Sequence, residues 1–216
     1  MERCLVSLRK QEGNANSEII VVDGGSSDKT ISIARKYADK VVTSPEKSPS
    51  AQRNLGAKLA LGKVLAFIDA DTVASESWLQ GIVETFRNQD IACVTGPLFP
   101  LEEIKRPYLY SLTNALQKVL VRVNYPLFWG ASCAFRTEAF WKIEGFDEKL
   151  LTSEDHDISL RIRRIGEVAF DDRMRAFTSH RKFLDREEKA FFSYVTDILK
   201  YFFFRKLRTR PRADTM

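Results

Sequence analysis

Two short runs, 19–22 (Ile-Ile-Val-Val) and 64–68 (Val-Leu-Ala-Phe-Ile), are apolar at every position, and an aspartate follows each of them, Asp23 and Asp69. Short runs that are apolar on both faces mark strands buried in a parallel sheet. The acidic residue then falls at the carboxyl end of the strand, where open α/β sheets place their ligands. Residues 40–43, 91–95, 134–135 and 167–170 read as further short strands. Between them, Ser26-Ser27-Asp28 offers N-cap chemistry for a helix reaching Tyr37, and Ser48-Pro49-Ser50 opens one that runs to Leu61 and stops at Gly62. Residues 75–87 and 155–165 also read as helices, and over 104–123 Tyr108, Leu112, Leu116, Val119 and Val123 recur at helical spacing. Alternating strands and helices predict an α/β fold, a mostly parallel sheet flanked by helices.

The pattern changes near residue 184. Phe191, Val195, Ile198 and Phe202 fall at helical spacing with Phe192, Leu199 and Phe203 beside them, which predicts a C-terminal amphipathic helix over 186–207. The chain thus divides into a domain over 1–183 and an amphipathic helix with a basic tail over 184–216. Arg205, Lys206, Arg208, Arg210 and Arg212 account for the whole net charge of +5. A neutral body argues against a nucleic-acid-binding face. The helix and tail suit peripheral contact with an anionic membrane through residues 186–212, or packing of the helix on the domain.

With 44% hydrophobic residues, 10 Gly and 7 Pro, the chain is neither fibrous nor disordered. Cys4, Cys93 and Cys133 are dispersed, with no C-x-x-C pair, which excludes a disulfide framework and a Cys-rich zinc site. The opening Met1-Glu2-Arg3-Cys4-Leu5 has no secretory character. No apolar run approaches the roughly 18 residues of a membrane span. The expected location is cytoplasmic, peripheral on the inner face of the cell membrane.

Candidate chemistry begins at Asp69-Ala70-Asp71. Two carboxylates one small residue apart at a strand end offer hard oxygen ligands for Mg²⁺ or Mn²⁺. Alone, the triplet reads equally as turn chemistry or helix capping. Five other segments give it context: Asp23-Gly24-Gly25-Ser26-Ser27-Asp28-Lys29-Thr30, Gln52-Arg53-Asn54-Leu55-Gly56, Gly130-Ala131-Ser132-Cys133, Gly145-Phe146-Asp147-Glu148, and Glu154-Asp155-His156-Asp157-Ile158-Ser159-Leu160-Arg161. In this order they resemble the motif series of family 2 glycosyltransferases.

The resemblance implies a GT-A fold and an inverting transfer of a sugar from a nucleoside diphosphate sugar to a glycan or lipid-linked acceptor, as in cell-envelope synthesis. Such transfer needs a neutralised diphosphate, a base for the acceptor hydroxyl and an oriented donor. The resemblance assigns Asp23 to the nucleotide's base or ribose, Asp69 to ribose or metal, and Asp71 to metal. It makes Asp155 the general base with Glu154 beside it, His180 a further metal ligand, and Gly130 part of a glycine loop. Arg53 and Asn54 are nucleotide-side candidates, with a solvated helix face or a structural clamp as the alternatives. Trp129 could stack on a sugar or sit in the core, and His156 is expected on a helix surface.

Family members open with an apolar strand next to the one ending at Asp23. That strand has no counterpart here, and Met1 to Gln11 matches the helix that follows it. The expected sheet pairs its neighbours directly or leaves them open. The alternative function is a catalytically impaired relative that binds a nucleotide or a partner. A nucleotidyltransferase or dinucleotide-binding enzyme on a similar α/β sheet is disfavoured, because neither G-x-G-x-x-G nor a P-loop is present.

Overall fold

A computed structural model describes residues 1–11, 16–150 and 152–179 of the protein. His180, the amphipathic segment and the basic tail lie outside the described residues. Helix α1 (Glu2–Arg9) carries Glu2 in its first turn and Arg9 in its last, each stabilised by the helix dipole. Strand β1 (Ile20–Asp23) pairs in parallel with β2 (Lys40–Thr43), and α2 (Thr30–Tyr37) connects them. Helix α2 starts later than Ser27, because Asp28 Oδ1 accepts the Thr30 N–H at 2.9 Å. Helix α3 (Pro49–Leu59) begins on Pro49, whose missing N–H costs nothing at a helix start.

Next come β3 (Val64–Ile68), β4 (Thr72–Ala74), α4 (Trp78–Thr85), β5 (Ile91–Thr95), β6 (Leu98–Pro100) and α5 (Tyr108–Arg122). The remaining elements are β7 (Ser132–Arg136), α6 (Thr137–Lys142), α7 (Glu154–Ile162), β8 (Glu167–Phe170) and β9 (Ala176–Thr178). The central sheet has the order β3-β7-β5-β8, and a smaller sheet has the order β4-β9-β6. The α/β class is the expected one. The sheet is mixed rather than uniformly parallel, since β7 runs antiparallel to both β3 and β5.

Alternation along β7 divides the core. Cys133 and Phe135 face one side, where Phe67, Phe128, Phe140 and Phe146 pack around Phe135; Ala134 faces the other, against Trp78, Ile82, Val94 and Met174. The aromatic side is tightly interlocked, with Phe67 5.3 Å from Phe146 and 5.5 Å from Phe140 between ring centroids. Among the described residues, β1 pairs only with β2 and β3 only with β7. The neighbours of the unmatched opening strand are therefore left open rather than joined.

Helix α5 carries the expected periodicity, but the apolar face is outside. Its buried residues are Thr113, Asn114 and Gln117. Asn114 accepts the Leu98 N–H at 3.0 Å and donates to the Leu98 carbonyl at 2.8 Å, so a side-chain amide stands in for a strand partner of β6. No helix among the described residues is long and apolar enough to cross a membrane.

The three cysteines are free and buried. Burial is the first cause that pushes the Cys4 thiol up to about 11; the N-terminal ammonium works against it, and Asp69 and Asp71 work with it. Thiol titration at pH 8 should therefore detect no reactive group in the folded protein and all three in denaturant. Rapid labelling before unfolding would contradict this packing.

Candidate active site

Strand β3 ends at Ile68, and Asp69-Ala70-Asp71 turns the chain into β4, the Thr72 N–H donating to the Asp69 carbonyl at 2.9 Å. The triplet is thus both a turn and a strand-end pair of carboxylates. The Asp69 N–H donates to the Ala131 carbonyl at 3.2 Å, extending the β3–β7 ladder by one bond and bringing the 130–131 loop beside the turn.

Arg53 reaches this point from α3. Its Nη2 donates to Asp69 Oδ1 at 2.8 Å and its Nη1 to Glu154 Oε1 at 2.9 Å, while the guanidinium lies 5.3 Å from the centre of the Phe146 ring. Burial acts to lower the guanidinium pKa, but Asp69 and Glu154 outweigh it and hold the group firmly charged. Two carboxylates 85 positions apart in sequence thus share one cation.

Asp155 completes the cluster. Ser153 takes a left-handed conformation at φ 63°, turning the chain into α7, whose first turn holds Glu154 and Asp155. Asp155 Oδ2 accepts the Gly130 N–H at 3.1 Å and Oδ1 accepts the His156 N–H at 2.9 Å. These bonds fix the carboxylate and occupy two of its roughly four acceptor positions. Cys133, fully buried on β7, has its thiol pushed up first by burial, with Arg53 lowering it and Asp69 and Asp155 raising it. One buried sulfur therefore senses all three groups.

Asn54 belongs to the support of this cluster. Its Nδ2 donates to the Phe146 carbonyl at 2.9 Å and to Glu148 Oε1 at 2.8 Å, and its Oδ1 accepts the Phe146 N–H at 2.9 Å. The amide is taken up by the turn at Gly145, the arrangement expected of the clamp alternative. A Cβ on Gly145, at φ +66°, would lie 2.6 Å from Asn54 Oδ1, so the turn requires glycine. Asp157 and Arg161 of the same motif are structural too, paired at 2.6 Å within α7.

Asp23 stands at the end of β1, where its Oδ2 accepts the N–H groups of Gly25 at 2.8 Å and Ser26 at 2.9 Å. The Ser26 hydroxyl, ahead of burial acting in the opposite sense and of the two backbone N–H bonds, lowers its pKa. Asp23 therefore shapes the 23–26 loop, and Gly24 packs against Gln52, the neighbour of Arg53. Asp71 is exposed, and its carbonyl accepts the Ser179 N–H at 3.1 Å. Among the described residues no three His, Cys, Asp or Glu side chains converge as a preformed metal cage. Asp69 and Asp71 are still a donor set that suits a hard cation completed by diphosphate oxygens and water. Trp129 is half-buried beside Gly130, and His156 is buried rather than on the surface.

Two substitutions test this geometry. Arg53→Met removes the cation between Asp69 and Glu154, whose side chains are partly solvated, and should cost about 1–2 kcal/mol in urea unfolding, between an exposed and a buried ion pair; no loss of stability would mean that the bridge is dispensable. On Gly130 a Cβ would lie 3.2 Å from Asp155 Cβ and 3.3 Å from Arg53 Nη2. Gly130→Ala should lower transfer at least about tenfold while costing only about 1–3 kcal/mol of stability.

Comparison with known proteins agrees with the geometry. The profile of glycosyl transferase family 2 matches residues 1–144. An uncharacterised glycosyltransferase of Rickettsia prowazekii (strain Madrid E) is 27% identical over 168 residues, covering 72% of this chain and 52% of the relative. The chain spans about half the length of that relative. Among solved structures, S. aureus TarS 1–349 in complex with UDP-GlcNAc aligns with a TM-score of 0.66 at 20% identity, covering 82% of this chain and 53% of that one. The mannosyltransferase PcManGT from Pyrobaculum calidifontis in complex with GDP-Man and Mn²⁺ aligns with a TM-score of 0.66 at 18% identity, covering 82% and 52%. The fold is GT-A, and with two thirds of its length matched by the profile the chain belongs to glycosyl transferase family 2.

Proposed function

We propose that the protein is an inverting glycosyltransferase that moves a sugar from a nucleoside diphosphate sugar to an acceptor hydroxyl. The observation that carries the proposal is the Arg53 bridge, which draws Asp69 and Glu154 into one cluster next to Asp155; in this reading Asp69 serves the donor and Glu154 the acceptor. Asp155 accepts the acceptor's proton as the hydroxyl oxygen bonds to the anomeric carbon. The bond from that carbon to the diphosphate breaks on the opposite face. Gly130 and His156 hold the Asp155 carboxylate in place through their N–H groups. Bound by Asp71 and Asp69, a Mg²⁺ or Mn²⁺ ion would offset the charge developing on the departing diphosphate. The 23–26 loop shaped by Asp23 is the nucleotide side of the pocket, and His180 is a further metal-ligand candidate. Residues 1–183 form the catalytic domain in this reading. The five cations of 205–212 keep the enzyme at the anionic inner face of the cell membrane, where a lipid-linked acceptor is within reach.

One observation favours the alternative, a nucleotide-binding relative without turnover: β1 and β3 each keep an open edge beside the donor side. A panel of UDP- and GDP-sugars with Mn²⁺ separates the two readings. Transfer is expected with one donor class, read as nucleotide release and as a thermal shift. A shift without turnover supports the alternative. In the active case Asp155→Asn should lower kcat by about 10²–10⁴-fold, the range for a lost general base, and leave donor affinity within about twofold. Turnover unchanged in that variant overturns the role of Asp155.

A further inference from the structure

Helix α5 turns its apolar face to solvent. Tyr108, Leu112, Leu116, Val119 and Val123 are 48% to 65% exposed, while its polar residues Thr113, Asn114 and Gln117 are buried. Beside this stripe, one helical position away, an open groove of about 480 Å³ runs between α5 and the edges of β6 and β8, lined by Phe99, Ser111, Ala115, Lys118, Phe170 and Arg175. A contiguous apolar stripe with an aromatic-walled groove along it marks an interaction surface rather than scattered exposed side chains.

The sequence supplies an occupant with matching dimensions. Leu112, Leu116, Val119 and Val123 follow the spacing i, i+4, i+7, i+11, and so do Phe191, Val195, Ile198 and Phe202. This 4-3-4 interval is the seam that lets two helices pack at a shallow angle with interlocking side chains. Helix α5 has 15 residues and spans about 22 Å, and a helix over 191–203 would span about 20 Å. The described chain ends at Ser179, whose hydroxyl donates to Glu102 Oε1 at 2.8 Å, six residues before α5 begins. From there residues 180–190 reach at most about 36 Å, enough to deliver the segment to either end of α5.

We propose that residues 191–203 pack as a helix along α5, with Phe191, Val195, Ile198 and Phe202 on the Leu112–Val123 stripe and neighbouring aromatic side chains in the groove. Charge favours a peptide occupant over lipid chains. The groove wall holds the Lys118–Asp172 ion pair and Arg175, which Asp197 and the hydroxyls of Tyr194 and Tyr201, all on one flank of the seam, can answer and hydrocarbon cannot. The packing divides the C-terminal segment: its aromatic half belongs to the domain, and only the cations of 205–212 remain for an anionic surface.

The test is cross-linking in the full 216-residue chain. Leu116→Cys is combined with Val195→Cys for a parallel pair of helices, and with Ile198→Cys for an antiparallel pair. The native cysteines are buried and do not compete. Under mild oxidation one combination is expected to form a disulfide within the monomer, read as a mobility shift on a non-reducing gel and loss of two free thiols. Its yield should stay within twofold when vesicles of phosphatidylcholine and phosphatidylglycerol are added. Cross-linked dimers alone would assign the stripe to a second copy of the chain. A yield that falls to background with vesicles would assign it to lipid, and no cross-link in either combination would reject the packing; each of these overturns the proposal.

Discussion

Arg53 makes the candidate site a single object. Asp69 comes from the end of a strand of the central sheet and Glu154 from the start of a helix 85 positions later, and like charges brought together at the mouth of a sheet repel. A half-exposed lysine could neutralise them, but its single ammonium would not fix their spacing. The guanidinium binds both at 2.8 and 2.9 Å through different nitrogens, so it sets a distance as well as cancelling charge. Its own position is set in turn. Phe146 lies under its plane, and the backbone of Phe146 is held on both its N–H and its C=O by Asn54, the next residue in the chain. The dipeptide Arg53-Asn54 therefore works in two directions: one side chain builds the site and the other holds the floor on which it rests.

This division explains what was legible beforehand. The strands ending in Asp23 and Asp69 were readable as continuous apolar runs, but the expectation that they are buried in a parallel sheet fails: both lie at sheet edges, β3 pairs antiparallel, and of their apolar residues only Leu65 is fully buried. The position of Asp155 at a helix start followed from the order of motifs. The roles of Arg53 and Asn54 did not, because a bridge from α3 to α7 and a clamp on the Gly145 turn depend on contacts across about 100 residues, which no local pattern encodes. Strands β4, β6 and β9 were also missed. Each is three residues long, too short for alternation to be told from chance, and the register between Thr72–Ala74 and Ala176–Thr178 exists only once the chain has folded.

Helix α5 shows a different kind of failure. Periodicity locates a helix but says nothing about which face is buried; the usual assumption is that the apolar face is. Here that assumption fails because the neighbour of α5 is β6, a three-residue strand whose Leu98 has backbone groups to satisfy. An amide at position 114 serves that need better than a leucine would, since a buried unpaired N–H or C=O costs more than a single apolar contact returns. The polar face is drawn inward by hydrogen bonding, and the apolar face is left for something else.

The two open features of the molecule lie on different elements and have different chemistry. Among the described residues the edges of β1 and β3 carry no further strand beside the Asp69–Asp71 turn, and only an extended chain or water satisfies the backbone groups of such edges. The stripe on α5 exposes side chains, which an apolar partner of any backbone conformation can cover. A helical segment can therefore cover α5 but can do nothing for the strand edges. Closing the catalytic side and closing the α5 side are consequently independent problems for this chain. A variant that disturbs one should leave the other intact, because Arg53, Phe146 and Asn54 anchor the site to the aromatic core around Phe135 of β7, while the groove lies at the far edge of that sheet, where Phe170 of β8 lines it.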